Sequence, residues 1–305
     1  MLAPLVATLL LAAPAVELAP PVARPGDAVL VRVTGVPEGA GEPRGVVAER
    51  ALAFWRAGEE WRALAALPSE LAPGALPVRV RAGAAAVEAA IDVVDPAFPV
   101  RTLTVAKKFL EPPPAVQRRI AADRKAFARA YARRFAPPLF QDRFDWPRHA
   151  PTSGRYGDQR TFNGKRASVH YGLDVTGPVG AAIAAANEGE VVLVRDAYMS
   201  GQTVVLWHGA DVYTTYFHLS RVDVKVGQRL RRGEVLGALG ASGRVTGPHL
   251  HWGVKVNGLY VDPESILGID FAAGTAAPRR AGPPAPPAAP PETATDVPVE
   301  PVVAP

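Results

Sequence analysis

Between residues 189 and 240 glycine cuts the chain into short apolar runs: "GEVVLVRD", "GQTVVLWHG", "VYTTYFHLS", "VDVKVGQRL" and "GEVLGALG". Each is too short for a helix that could bury a face. Most are rich in the β-branched and aromatic residues that suit a pleated surface. With turn residues between successive runs, neighbouring strands pair in sequence order, so the segment predicts a compact antiparallel sheet with little helix. The same character extends over 137–268, which is read as one domain.

Residues 16–106 carry a second set of strand and turn signals. "PGDAVLVRVTGV" opens with a turn and places Val29, Val31 and Val33 on one strand face. Trp55 and Trp61 supply large apolar surfaces for a core between two sheets. The expectation is a small β-sandwich of immunoglobulin-like type. Residues 107–136 form a linker containing an amphipathic helix. Val116, Ile120, Phe127, Tyr131 and Phe135 make its apolar stripe; Arg118, Arg119, Lys125, Arg129 and Arg133 face the other way. It starts after prolines and is expected to run to Pro137 and Pro138. From 269 to 305 the chain is Pro/Ala-rich without periodicity and is read as a disordered tail. The fold class expected is therefore mostly β: sandwich, linker helix, antiparallel sheet domain, tail.

At the start, "MLAPLVATLLLAAPAVELAP" combines an apolar run with a small-x-small site at 13–15. This reads as an export signal over 1–15, with a mature chain from Val16 and no stable membrane insertion afterwards; an uncleaved anchor is the alternative. There is no cysteine. Disulfides, thiolate nucleophiles, cysteine-ligated metal and a lipidated N-terminal cysteine are thereby excluded. The net charge of +5 suits an anionic partner, and no nucleic-acid motif is present.

The chemistry sits with the histidines, of which there are six. His170 and Asp174, in "HYGLD", are four apart and share a face on an extended chain. A metal-free hydrogen-bonded pair and a shared divalent metal such as zinc are both open to them. His249 and His251, in "GPHLHWG", are two apart, so both point one way from a strand while Leu250 points to the core. His218, in "YFHLS", lies on a strand with Tyr216 two residues back on its face. Two histidines and an aspartate make a three-ligand set whose fourth position stays open to water, the pattern of catalytic zinc rather than structural zinc. Remaining neutral histidines could take the water proton and stabilise an oxyanion.

"HYGLD", "YFHLS" and "GPHLHWG", in this order and at these separations, resemble the lysostaphin-type (LytM-like) zinc endopeptidases that cut peptidoglycan peptides. "TSGRYGDQRTFNGK" at 152–165, with Tyr156 in its aromatic slot, and "VDVKVGQRLRRGEVLGALGASGRVTGPHLHW" support the resemblance over 137–268. It implies His170, Asp174 and His251 as ligands of one zinc ion and His218 and His249 as catalytic histidines. Asn163 and Tyr216 are candidate substrate contacts. It further implies an exported, monomeric enzyme of a bacterial periplasm or cell envelope, hydrolysing peptidoglycan stem or cross-link peptides through a zinc-activated water. The rivals are a peptidoglycan-binding scaffold or activator without turnover, and a zinc amidase on the same polymer. His208 is read as structural and His149 as a surface residue.

Overall fold

The computed structural model describes residues 13–103, 113–162, 166–245 and 247–277. Its largest element is a ten-stranded sheet. The main path runs through neighbours Thr152–Gly154, Leu173–Thr176, His249–Val256, Val212–Val222, Gly201–Trp207, Gly189–Ala197 and Arg229–Leu230. The pairings along it are antiparallel, as the glycine-punctuated runs predict. Strand alternation gives this sheet two different faces. One carries Leu173, Val175, Val204, Leu206, Tyr216, Leu219, Leu250, Trp252 and Val254 into the main core. The other carries Val205, Trp207 and Tyr213 in a satellite cluster against Phe127 and Tyr131. Asp174 and His251 lie on this second side.

The N-terminal region forms two further sheets. One has the order Ala15–Ala19, Ala28–Thr34, Glu60–Ala66, Trp55–Ala57; the other Val22–Ala23, Ala85–Val93, Gly74–Ala82, Arg44–Val47, Arg50–Leu52. Val29, Val31, Val33, Ala63 and Ala65 of the first pack with Val78, Val80, Ile91 and Val93 of the second. The alternate residues Ala28, Leu30, Leu64 and Ala66 turn outward and join the core of the C-terminal sheet. Trp55 goes with them. It fills the junction between the two regions rather than the space between the N-terminal sheets, while Trp61 is only packed against the latter's edge. The junction is also hydrogen-bonded, from Ala28 N–H to Ser265 Oγ at 2.9 Å and from Asp262 N–H to the Gly26 carbonyl at 2.7 Å.

Three expectations are corrected. The helix spans Pro114–Ala130 and stops well before Pro137. Tyr131 caps it, its N–H still donating to the Phe127 carbonyl at 2.9 Å while its own carbonyl accepts from the Tyr213 hydroxyl at 3.0 Å and its hydroxyl meets Tyr260 at 2.9 Å. Phe135 is consequently outside the helix and 40% exposed. The buried face includes a charge, Asp123, which accepts from Arg195 Nε at 2.6 Å and from the Tyr198 N–H at 2.8 Å. A polar clamp thus replaces part of the expected apolar stripe. The tail does not begin at 269. Ile269–Asp270 pairs with Thr275–Ala276, and Phe271 is 4% exposed with its ring 4.7 Å from that of Phe140. Residues 278–305 lie outside the described residues, as do 1–12. The expected processing point falls at the start of Ala15–Ala19, where Val16 already pairs with Val33. Among the described residues no helix is long and apolar enough to cross a membrane.

Candidate metal centre

Register builds the site. In the antiparallel ladder Asp174 stands opposite His251, and His251 stands opposite Phe217 on the next strand. Three residues from three adjacent strands therefore form one row across the second face. Leu173, Trp252 and Tyr216 form the neighbouring row, one residue along, in the core. His170 precedes the strand Leu173–Thr176 and folds back over Asp174. The result is a tight triangle: His170 Nε2 lies 3.1 Å from Asp174 Oδ1 and 3.0 Å from His251 Nδ1, and the last two atoms are 3.0 Å apart. All three residues are buried.

The surroundings settle how the rings are oriented. A carbonyl can only accept, so His170 Nδ1–H donates to the Arg155 carbonyl at 2.8 Å, leaving the Nε2 lone pair for the site. Burial opposes charge on Asp174, but the attraction and hydrogen bonding of His170 and then His251 outweigh it and hold its carboxyl well below the usual range. A carboxylate and an imidazole lone pair converging at 3 Å repel unless a proton or a cation sits among them. Two imidazole nitrogens and one carboxylate oxygen, enclosed and converging, are a donor set that fits zinc with a further position left over. Two glycines leave the room. A Cβ on Gly154 would lie 2.4 Å from Asp174 Oδ2, and one on Gly172 2.7 Å from His251 Nε2. Sequence reasoning passed over both, although they stand inside "TSG" and "HYGLD", next to the ligand candidates.

His218 and His249 complete the group, their ring centroids 5.0 Å apart. His218 Nδ1–H donates to the Ser242 carbonyl at 2.9 Å and His249 Nδ1–H to the Gly247 carbonyl at 3.0 Å. Each Nε2 is turned away from these carbonyls, towards the cleft. His249 Nε2 lies 3.6 Å from Asp174 Oδ1. Burial, reinforced by the neighbouring His251 and His249 rings, pushes the His218 imidazole down to about 3, so it is neutral and able to accept a proton.

The strand that carries His218 departs from simple alternation. His218 has φ 62°, in the left-handed region. Across to Gly201–Trp207, Val204 faces Tyr216 while Gln202 faces Leu219, so this strand holds one extra residue. The bulge turns His218 to the same side as Phe217. Phe217 stacks on His251, ring centroids 5.2 Å apart and planes 11° from parallel. Tyr216 is correspondingly corrected. It is fully buried in the core, its hydroxyl accepting from the Ala186 N–H at 2.9 Å and from Thr214 at 3.0 Å, out of reach of any substrate. Asn163 lies outside the described residues. Leu250 packs in the core between the two histidines that flank it. His208 is remote and fully buried. His149 is exposed beside Asp145.

Comparison with known proteins agrees with this geometry. The family model for Peptidase family M23 matches residues 168–263, a span that contains all five converging residues. Peptidoglycan DD-endopeptidase ShyA of Vibrio cholerae is 43% identical over 94 residues, which is 31% of this chain and 22% of that protein. DD-carboxypeptidase/endopeptidase Mpg of Neisseria meningitidis is 37% identical over 98 residues, 32% of this chain and 23% of that one. The matches thus span under a quarter of these curated relatives. A solved structure from Pseudomonas aeruginosa, described as a peptidase M23, is 32% identical with a TM-score of 0.60, covering 80% of this chain and 94% of that one. The chain belongs to peptidase family M23. The resemblance to lysostaphin-type enzymes is borne out, and the family is one of zinc metallopeptidases.

Proposed function

We propose that this chain is an exported endopeptidase that hydrolyses peptide bonds in peptidoglycan stem or cross-link peptides. The observation that carries this reading is the pairing of an enclosed three-donor group with two further histidines, ring centroids 5.0 Å apart, at its edge. That is one cation site and one site for proton transfer, side by side. The named activity of ShyA and its relatives supports the choice of polymer.

In this reading His170 Nε2, Asp174 Oδ1 and His251 Nδ1 hold the metal. Zinc bound there supplies Lewis-acid chemistry, acidifying water and polarising a carbonyl. His218 Nε2 accepts a proton from the attacking water, since its Nδ1 is committed to Ser242. His218, protonated by that transfer, returns the proton to the departing amine, while His249, more open than His218, would stabilise the oxyanion of the tetrahedral intermediate in the form that carries protons on both ring nitrogens. The carbonyls of Arg155, Ser242 and Gly247 fix the tautomers on which these assignments depend. The sandwich, immunoglobulin-like in this reading, ends at Val93 rather than 106, since Val100–Leu103 pairs with Gln159–Phe162 of the C-terminal region; it buttresses the catalytic domain, and the mature chain works as a monomer in the envelope.

Digestion of purified peptidoglycan sacculi with the zinc-loaded protein, followed by mass spectrometry of the fragments, tests the proposal. Cut peptides are expected. Intact peptides freed from amino sugars would establish an amidase instead. No release, with zinc bound, would establish a scaffold.

A further inference from the structure

The helix Pro114–Ala130 lies outside the residues matched by the family, yet it reaches the metal centre. Its Phe127 ring meets the Phe217 ring edge-on, centroids 5.9 Å apart at 75°, and Phe217 in turn lies flat on His251. An imidazole's last torsion is soft and roughly two-fold. Rotation about it would swing Nδ1 of His251 away from Nε2 of His170 and put carbon there. Phe217 covers one face of the ring, while its Nε2 edge abuts the small space left by Gly172. Phe217 is itself only half-buried, so what holds it matters. Phe127 does so from the helix, and the helix is pinned by the Asp123 clamp to Arg195 and Tyr198 and by Arg119 to Asp196 at 3.1 Å.

We propose that Phe127 and Phe217 are positioning residues, through which the seated helix holds the His251 ring in its ligating orientation. This rests on the reading of His251 as a metal ligand. The consequence is that affinity for zinc depends on a helix that contributes no ligand. Outer partners of metal-bound histidines typically alter affinity by about 10–100-fold when removed, and an aromatic contact one step further out belongs at the lower end.

The full chain as wild type, Phe127→Ala, Phe127→Tyr and Asp123→Asn tests this with two measurements. Zinc affinity by chelator competition is expected to weaken about tenfold in Phe127→Ala and several-fold in Asp123→Asn, and to be restored in Phe127→Tyr. In the metal-free proteins, imidazole proton and nitrogen shifts of His251 are expected to move in Phe127→Ala, because the ring current of Phe217 over it changes, while those of His208 stay. A folded Phe127→Ala protein with wild-type zinc affinity and unmoved His251 shifts overturns the proposal. Should Phe127→Ala fail to fold, the same absence of effect in Asp123→Asn overturns it. A wild type that binds no zinc overturns the metal reading, and the His251 shifts then decide the orientation claim alone.

Discussion

Two buried histidine environments lie at opposite ends of one strand, and they are used in opposite ways. At one end His208 has both ring nitrogens occupied: Nδ1 by the Glu188 carbonyl at 2.6 Å, Nε2 by Thr214 Oγ1 at 2.8 Å. Phe144 lies 5.1 Å from its ring, and Phe271 packs behind Phe144. At the other end His170, His218 and His249 each commit Nδ1 to a carbonyl and keep Nε2 for a common cleft. Burial alone does not separate the two roles, since His208, His170 and His218 are all buried. What separates them is where the second nitrogen points: at His208 to a neutral hydroxyl, at the other end into a cleft shared with the Asp174 carboxylate.

The sharpest test of that distinction lies within the cleft. Replacing His170, Asp174 or His251 with Ala leaves two protein donors, so zinc is expected to be lost and activity with it. Replacing His218 or His249 is expected to leave zinc near one per chain and to lower activity by about a hundredfold or more. Metal analysis of His249→Ala beside His251→Ala decides it, because two residues on one strand face then give opposite metal results. Equal zinc loss in both would show the division of roles to be wrong.

At the far end the effects fall on stability. Phe271→Ala empties a buried aromatic position against Phe140 and Phe144 and is expected to cost about 3–5 kcal/mol. Denaturant unfolding measures this, with zinc content unchanged. A loss of zinc in that variant would mean the two ends are not independent. His208 adds a pH signature. Burial depresses its folded value from 6.5 to about 4, so between those values the unfolded chain binds the proton that the fold refuses. The contribution is complete above pH 6.5 and falls away as the pH drops towards 4. The gap between those two values is worth about 3 kcal/mol. In His208→Gln the stability difference between pH 7 and pH 4.5 is expected to shrink by most of that amount; an undiminished difference would place the acid sensitivity elsewhere.

Strand period made much of this legible from sequence. His249, Leu250 and His251 alternate between cleft and core because nothing interrupts their strand, and His170 and Asp174 meet across a short return. The same rule failed at Tyr216. The left-handed His218 inserts a residue where no glycine announces it, so the face of Tyr216 was misjudged and Phe217 was overlooked. Trp55 was legible as buried but not as to where, because alternate residues of Ala28–Thr34 feed two different cores. The helix ends earlier than Pro137 because the Tyr131 carbonyl is taken by the Tyr213 hydroxyl instead of a further helical N–H, a partner that sequence distance conceals. The close approaches at Gly154 and Gly172 that shape the site are likewise products of register, invisible until the strands are paired.

The smallest expected effect concerns the end of the chain beyond Phe271. Composition alone starts the tail at 269, but Phe271 is buried and Ile269–Asp270 pairs with Thr275–Ala276. Truncation after Ala277 removes a Pro/Ala-rich segment with little apolar surface to bury. A change within about 0.5 kcal/mol, or about 2 °C in Tm, is expected. Truncation after Gly268 also removes Phe271, whose carbonyl accepts from Arg62 of the N-terminal region, and so should cost as much as Phe271→Ala or more. The pair of truncations, compared by thermal unfolding, isolates nine residues. If the first alone lowered Tm by many degrees, the tail would have to pack on the protein.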